Sequence, residues 1–275
     1  MSLVYFNKEV LNKYYSEPDK YSVGDGYVRM DGIWSLQIDN DRRDDIVIML
    51  GDLNILNKKE QLHWRSNNII PPHEGAGLSE CTFGRWFLGK WCGPSVAGDL
   101  VLVSKYTLFN QAWRERYKWD LFLPLKNGDE VRLQTLHLIT TNDNELDFEN
   151  QILALSKIFI DSLNQKALDN NIDYSMQDVA DYKSGIGNRS IGGIDKFVMF
   201  NLTNGHDIKP MFDFFKMLQR LRSTEVAHRK SSNIKDLQQV RSYFGMDELH
   251  LKDVLEEIFT NTIKTLNTLS EVYLS

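Results

Sequence analysis

The sequence predicts an α+β fold: a mixed α/β N-terminal domain over residues 1–144, followed by an all-α helical bundle over residues 145–275. Three observations predict it. Short apolar runs between turn residues mark strands in the first half, as in Ile46-Val47-Ile48-Met49-Leu50 bounded by Gly51-Asp52. A polar run, Thr140-Thr141-Asn142-Asp143-Asn144, then reads as a linker and helix cap. Beyond it, apolar residues recur at helical spacing through the remainder of the chain.

Taken in order, Asn7 to Tyr15 reads as a short helix stopped by Pro18. Gly24 to Asp45 alternates around Tyr27, Ile33, Trp34, Leu36 and Ile38, as strands do. Lys58 to Trp64 reads as a helical turn, Ser79 to Trp91 as a helix with an aromatic face, and Leu100 to Val103 as a strand before a helix from Tyr106 to Tyr117. Trp119 to Leu125 and Val131 to Ile139 flank Lys126-Asn127-Gly128-Asp129, and Asn-Gly favours the positive φ of a tight hairpin turn. After the linker, Leu146, Phe148, Ile152, Leu155, Phe159 and Leu163 mark one helix. Pro210 suits the first turn of another, with Met211, Phe212, Phe215, Leu218 and Leu221 on its apolar face. Ile234 to Phe244 reads as a short helix ended by Gly245, and Asp247 as the cap of a last long one.

Composition bounds the function. Of 275 residues, 42% are hydrophobic and 25% charged, enough for a proper core. The net charge of −6 argues against a protein that binds nucleic acid with its whole surface, so such binding needs a local basic patch. Two cysteines, Cys81 and Cys92, make no disulfide framework and fit a reducing compartment. The first residues, Met1-Ser2-Leu3-Val4-Tyr5-Phe6, soon give way to charge and do not read as a signal peptide, and no apolar run is long enough to span a bilayer. The expectation is a soluble cytoplasmic protein without a membrane partner.

One segment points at chemistry: Leu221-Arg222-Ser223-Thr224-Glu225-Val226-Ala227-His228-Arg229-Lys230. A guanidinium neutralises phosphoryl charge, and an imidazole moves a proton near neutral pH. Arg222 and His228 stand six positions apart, so one ideal helix does not place them on the same face. They converge only where the helix frays or across a two-fold axis pairing two copies. From Asp207 to Arg241 the chain carries eight cationic and four acidic residues, a basic island on an acidic protein. The plainer reading is a solvated basic helix face with a surface histidine.

Arg, four to six residues, then His, late in a long helix of a small bundle, resembles the HEPN superfamily (higher eukaryotes and prokaryotes nucleotide-binding). The same text looks like bacterial proteins with HEPN-like C-terminal halves. Leu50-Gly51-Asp52-Leu53, Glu60-Gln61-Leu62-His63-Trp64, Gln151-Ile152-Leu153-Ala154-Leu155 and Ile160-Asp161-Ser162-Leu163-Asn164 add to that second likeness, which brings no activity with it. The HEPN resemblance covers residues 145–275 and implies a helical domain that dimerises through its C-terminal helices and sets two motifs together. In catalytic members it implies a metal-independent RNA endonuclease of toxin or defence type, with the 2′-hydroxyl attacking its own phosphate. Carried over, His228 is general acid or base and Arg222 stabilises the phosphorane charge, while Arg220, Ser223, Arg229 and Lys230 are candidates to contact RNA. Many active members place Asn, Asp or His directly after the Arg, where this chain has Ser223. The alternative is a non-catalytic module that dimerises and binds a nucleotide or a protein. A structural protein without catalysis is the third reading.

Other candidates read plainly. Ser184 to Gly193 is glycine-rich but lacks a phosphate-loop pattern and a preceding strand, so it reads as an inter-helix loop. His63, His73, Cys81 and Cys92 match no zinc spacing, and no metal or other cofactor is expected. Phe83, Trp86, Phe87 and Trp91 read as core, the Glu60-Gln61-His63-Trp64 cluster as a helix end with its Trp buried, and Trp113-Arg114-Glu115-Arg116 as a solvated face beside a packed Trp.

Overall fold

The computed structural model describes residues 2–73, 76–90, 97–126, 128–138, 143–206, 209–226 and 234–275. The fold is α+β, with small antiparallel sheets in the N-terminal part and a helical C-terminal region. The chain divides into two compact units: Met1–Val103 with Gln134–Thr141, and Ser104–Leu133 with Asn142–Ser275. The division is discontinuous, and residues 104–133, which the linker-based boundary at 144 gives to the first domain, pack with the helical unit.

In the first unit, β1 (Leu3–Asn7) leads into a 3₁₀ turn and a short helix, α1 (Asn12–Ser16). β2 (Tyr21–Gly24), β3 (Tyr27–Met30) and β4 (Trp34–Gln37) form an antiparallel meander, with Gly24 paired to Tyr27 across an Asp25-Gly26 turn. Gly26 has φ +83°, the positive value such a turn needs. β5 (Asp45–Met49) pairs with β1, Val4 opposite Ile48. After the 3₁₀ segment Leu50–Ile55 and α2 (Lys58–Ser66), β6 (Asn68–Ile69) completes the order β5-β1-β6. One apolar core joins Phe6, Tyr14, Tyr21, Trp34, Ile46 and Trp64. β1, β2 and β6 are absent from the sequence reading: β1 is only five residues long, β2 ends at Gly24 where the alternation begins, and a two-residue strand leaves no periodicity.

The helix α3 (Glu80–Leu88) begins at Ser79, whose hydroxyl accepts from the Thr82 N–H. Buried Asp39 accepts from the N–H and hydroxyl of Ser79 and from the hydroxyl of Thr82, which anchors that helix start. Phe83 and Phe87 do not join the core: they are 48% and 42% exposed, with ring centroids 5.2 Å apart. The buried residues of this nine-residue helix are Thr82 and Gly84, and the two phenylalanines are not among them.

Leu100 to Val103 is not a strand. It lies in α4 (Gly98–Tyr117), whose buried residues Leu102, Tyr106, Phe109 and Trp113 recur at three to four positions. A four-residue apolar run fits either periodicity, and here the longer helical pattern prevails. The hairpin across Lys126-Asn127-Gly128-Asp129 does not form among the described residues. Glu130–Leu133 is a 3₁₀ turn. The Leu121–Leu123 backbone finds its partners elsewhere: Leu123 N–H donates to Ser162 O at 2.7 Å, and Asn164 N–H to Leu121 O at 2.9 Å. Burial of Phe122 against Tyr106 and Phe159 fixes that alternative pairing.

The helical unit continues with α5 (Glu145–Ser156), capped by the Asn144 side chain as its position in the polar run suggests. A π-helical turn, Lys157–Asp161, follows it. Then come α6 (Gln165–Asn170), α7 (Gln177–Ile186), α8 (Gly193–Thr203), α9 (Lys209–Leu221) with a second π turn at Arg222–Val226, α10 (Ile234–Tyr243) and α11 (Leu251–Tyr273). Val254, Ile258, Leu266 and Leu269 form the buried stripe of α11. Asp247 does not cap it: His250 holds the cap position without a side-chain bond, and the Asp247 carboxylate accepts from Arg241 at 2.7 Å. Among the described residues no helix is long and apolar enough to cross a membrane.

Candidate functional site

Arg222 opens the π turn that ends α9. The wider turn displaces it from the register α9 would otherwise continue, and such interruptions of an α-helix are frequent at functional sites. Among the described residues its guanidinium donates one hydrogen bond, Nη1 to Asp161 Oδ2 at 2.7 Å. Asp161 itself closes the other π turn, so two helix irregularities meet through one ion pair. The pair is partly open, at 28% side-chain exposure for Arg222 and 35% for Asp161.

A chain of alternating charge extends from it. Lys157 Nζ lies 3.7 Å from Asp161 and 3.3 Å from Asp129, and Asp129 is bound by Arg132. The Arg132 hydrogen bond holds the Asp129 carboxyl below its ordinary range, and that of Lys157 acts in the same direction. Neither Asp161 nor Lys157 was assigned a role from the sequence. Asp161 and Arg222 lie 61 residues apart, so no local spacing betrays the pair. The only signal is that Asp161 falls in the stretch Ile160-Asp161-Ser162-Leu163-Asn164, singled out above for its likeness to bacterial proteins.

The remaining candidates divide. Arg220 points away from Arg222, donating to Asp236 at 2.8 Å and Gln239 at 3.0 Å on α10, as residues two apart on a helix must diverge. The Ser223 hydroxyl donates back to Arg220 O at 3.0 Å. His228, Arg229 and Lys230 lie outside the described residues. The basic island is largely paired internally: Lys209 with Asp213, Arg241 with Asp247, Arg220 with Asp236, and Lys216 with the Tyr182 hydroxyl at 3.2 Å.

The glycine-rich loop at 184–193 is bound by protein groups. Arg189 makes two 2.7 Å hydrogen bonds to Asp195, which also accepts from Tyr182 and from the Gly192 N–H. Burial alone pushes the Asp195 carboxyl up, but these bonds outweigh it and hold the group below its ordinary range. Among the described residues, no group of three or more His, Cys, Asp or Glu side chains gathers to hold a metal ion.

In the first unit, Glu60 is buried with Oε1 accepting from Lys13 at 2.6 Å and Tyr21 at 3.0 Å, and Oε2 from Tyr14 at 2.9 Å. Burial pushes its carboxyl up, and the three donors together pull it below the usual range. Burial and the Glu60 charge push the Tyr14 phenol upward. Trp64 Nε1–H donates to Tyr14 Oη at 2.8 Å, completing a closed network around a buried Trp.

Comparison with known proteins gave no matching family model, no matching curated protein and no matching solved structure.

Proposed function

We propose that the chain is a HEPN-like, metal-independent RNA endonuclease of toxin or defence type, with Arg222 and His228 as its working pair. The observation that carries the reading is the state of Arg222. It stands at the end of α9 on a backbone interruption, is held by Asp161, and keeps most of its N–H donors without a partner among the described residues. A guanidinium oriented at one edge and open at the others suits a phosphodiester oxygen.

His228 takes the proton from the ribose 2′-hydroxyl as its oxygen bonds to phosphorus. Arg222 neutralises the charge on the phosphorane. The bond to the 5′-oxygen breaks, the proton is returned to that oxygen, and a cyclic phosphate remains. Two copies paired through the C-terminal helices bring two motifs together. Purified protein incubated with RNA in EDTA tests this. The expected products carry cyclic phosphate ends, DNA stays intact for lack of a 2′-hydroxyl, and His228→Ala abolishes cleavage. Intact RNA across varied substrates would sink the reading.

A second reading is a dimerising module that binds a nucleotide or protein without cutting. The internal pairing of Arg220, Arg241 and Lys209 favours it, because those cations are already neutralised.

A further inference from the structure

A cavity of about 680 Å³ opens on the first unit where the β1 face meets the 3₁₀ segment Leu50–Ile55 and α2. The volume suits a small organic ligand. Its floor is apolar. Val4 and Phe6 alternate onto this side of β1, and Leu53 joins them. Phe6 is fixed from behind by Trp64, edge to face at 5.0 Å. The floor is therefore the edge of the core, with Phe6 buried and Val4 and Leu53 partly buried beside it.

The rim is polar and partly pre-oriented. Gln61 Nε2 donates to Leu53 O at 3.2 Å and Leu56 O at 2.9 Å, which uses both amide hydrogens and leaves Oε1 as a fixed acceptor. Asn68 Nδ2 donates to Tyr5 O at 2.8 Å, leaving its Oδ1 likewise. Arg65 supplies the single cation. It makes no hydrogen bond or ion pair among the described residues, and no carboxylate lines the cavity. An unpaired guanidinium beside an apolar floor has the chemistry to take an anion. Its planar fork matches a carboxylate through two parallel hydrogen bonds.

We propose that this cavity binds a small amphipathic carboxylate, with its apolar body on Val4, Phe6 and Leu53, its carboxylate on Arg65, and an N–H or O–H donor turned toward Gln61 and Asn68. The site is independent of Arg222, and its test does not involve RNA.

The test is a titration of the full, ¹⁵N-labelled chain with indole-3-propionate, which carries an aromatic body, an N–H donor and a carboxylate. Saturable amide shifts are expected at residues 2–6, 50–54 and 61–68, with a dissociation constant below about 1 mM. Arg65→Gln, a change at an exposed and unpartnered side chain, is expected to weaken binding about tenfold, the usual worth of a charged hydrogen bond. Asn54→Asp, which puts a negative charge on the same rim, is expected to weaken it severalfold. 3-Methylindole, without the carboxylate, is expected to bind more weakly than the acid. Four results overturn the proposal: no saturable shift at this face, equal affinity in Arg65→Gln, inorganic phosphate binding as tightly as the acid, or the same amides shifting with protein concentration alone. The third makes the site a simple anion site, and the fourth makes the groove a contact between copies.

Discussion

Glu60 and Arg222 each anchor a charged cluster, and the two clusters differ in how completely they are closed. Both Glu60 oxygens are engaged, by an ammonium and two phenols, and the group lies buried in the core of the first unit. Arg222 meets Asp161 through one contact, at a partly open position in the helical unit. A fully satisfied buried network rigidifies the fold and has nothing left to offer a ligand. A guanidinium with one bond made among the described residues is held at one edge, and its other donors have no partner there. A conspicuous cluster of titratable side chains is less informative about function than the donors it leaves over.

Substitution should affect the two clusters unequally. Glu60→Ala should show the largest loss of stability, about 3 kcal/mol in urea unfolding, because it leaves a partly buried Lys13 and two buried phenols without their acceptor. A loss under about 1 kcal/mol would mean that the network is not the closed structural element described.

Acid should next reveal two buried carboxyls held below their ordinary range, Glu60 in the first unit and Asp195 in the second. Each has a lower pKa folded than unfolded, so its contribution is fully present above the ordinary carboxylate values of 4.5 and 3.8. It is lost as the pH falls below them through the folded values. The urea midpoint should therefore drop from pH 6 to pH 3, roughly the range in which carboxylates titrate. Glu60→Gln should flatten the part of that drop belonging to the first unit, and an unchanged pH profile would contradict the assignment.

Arg222→Ala should alter stability by about 1 kcal/mol at most, as expected for a partly exposed ion pair. Asp161→Asn should likewise cost little stability while releasing Arg222 toward anions, seen as tighter binding of a short RNA by His228→Ala protein. Weaker binding would show that Asp161 positions the arginine more than it restrains it. Phe87→Ser should have the smallest effect, within about 0.5 kcal/mol, because the ring is exposed. A larger loss by thermal melt would mean that the Phe83–Phe87 pair contributes to packing after all.

The sequence carried much of the fold where periodicity runs long. The apolar faces of α9 and α11, the buried strand at Asp45–Met49 and the Asn144 cap are all legible in residue spacing. Short or context-dependent elements were not. The Asn-Gly hairpin signal at 127–128 lost to the non-local pairing of Leu123 and Asn164 with backbone partners outside the segment. Leu100 to Val103 looked like a strand because four residues do not distinguish two periods. At the candidate site, Arg222 was visible through its motif, but Asp161, which holds it, comes from another helix and has no sequence spacing to reveal it. The divergence of Arg220 follows from helical geometry and was available in advance, yet the basic island concealed it by counting charges without their partners.

The central claim is that Arg222 acts on a phosphodiester and does little for the fold. The most direct measurement is RNA cleavage in EDTA by wild type and Arg222→Ala, read beside urea unfolding of the same two preparations. Cleavage should fall on the order of a hundredfold or more in Arg222→Ala, typical for a group that stabilises transition-state charge, with unfolding changed by about 1 kcal/mol at most. Cleavage undiminished in Arg222→Ala, or lost only in step with a collapse of stability, would contradict the claim.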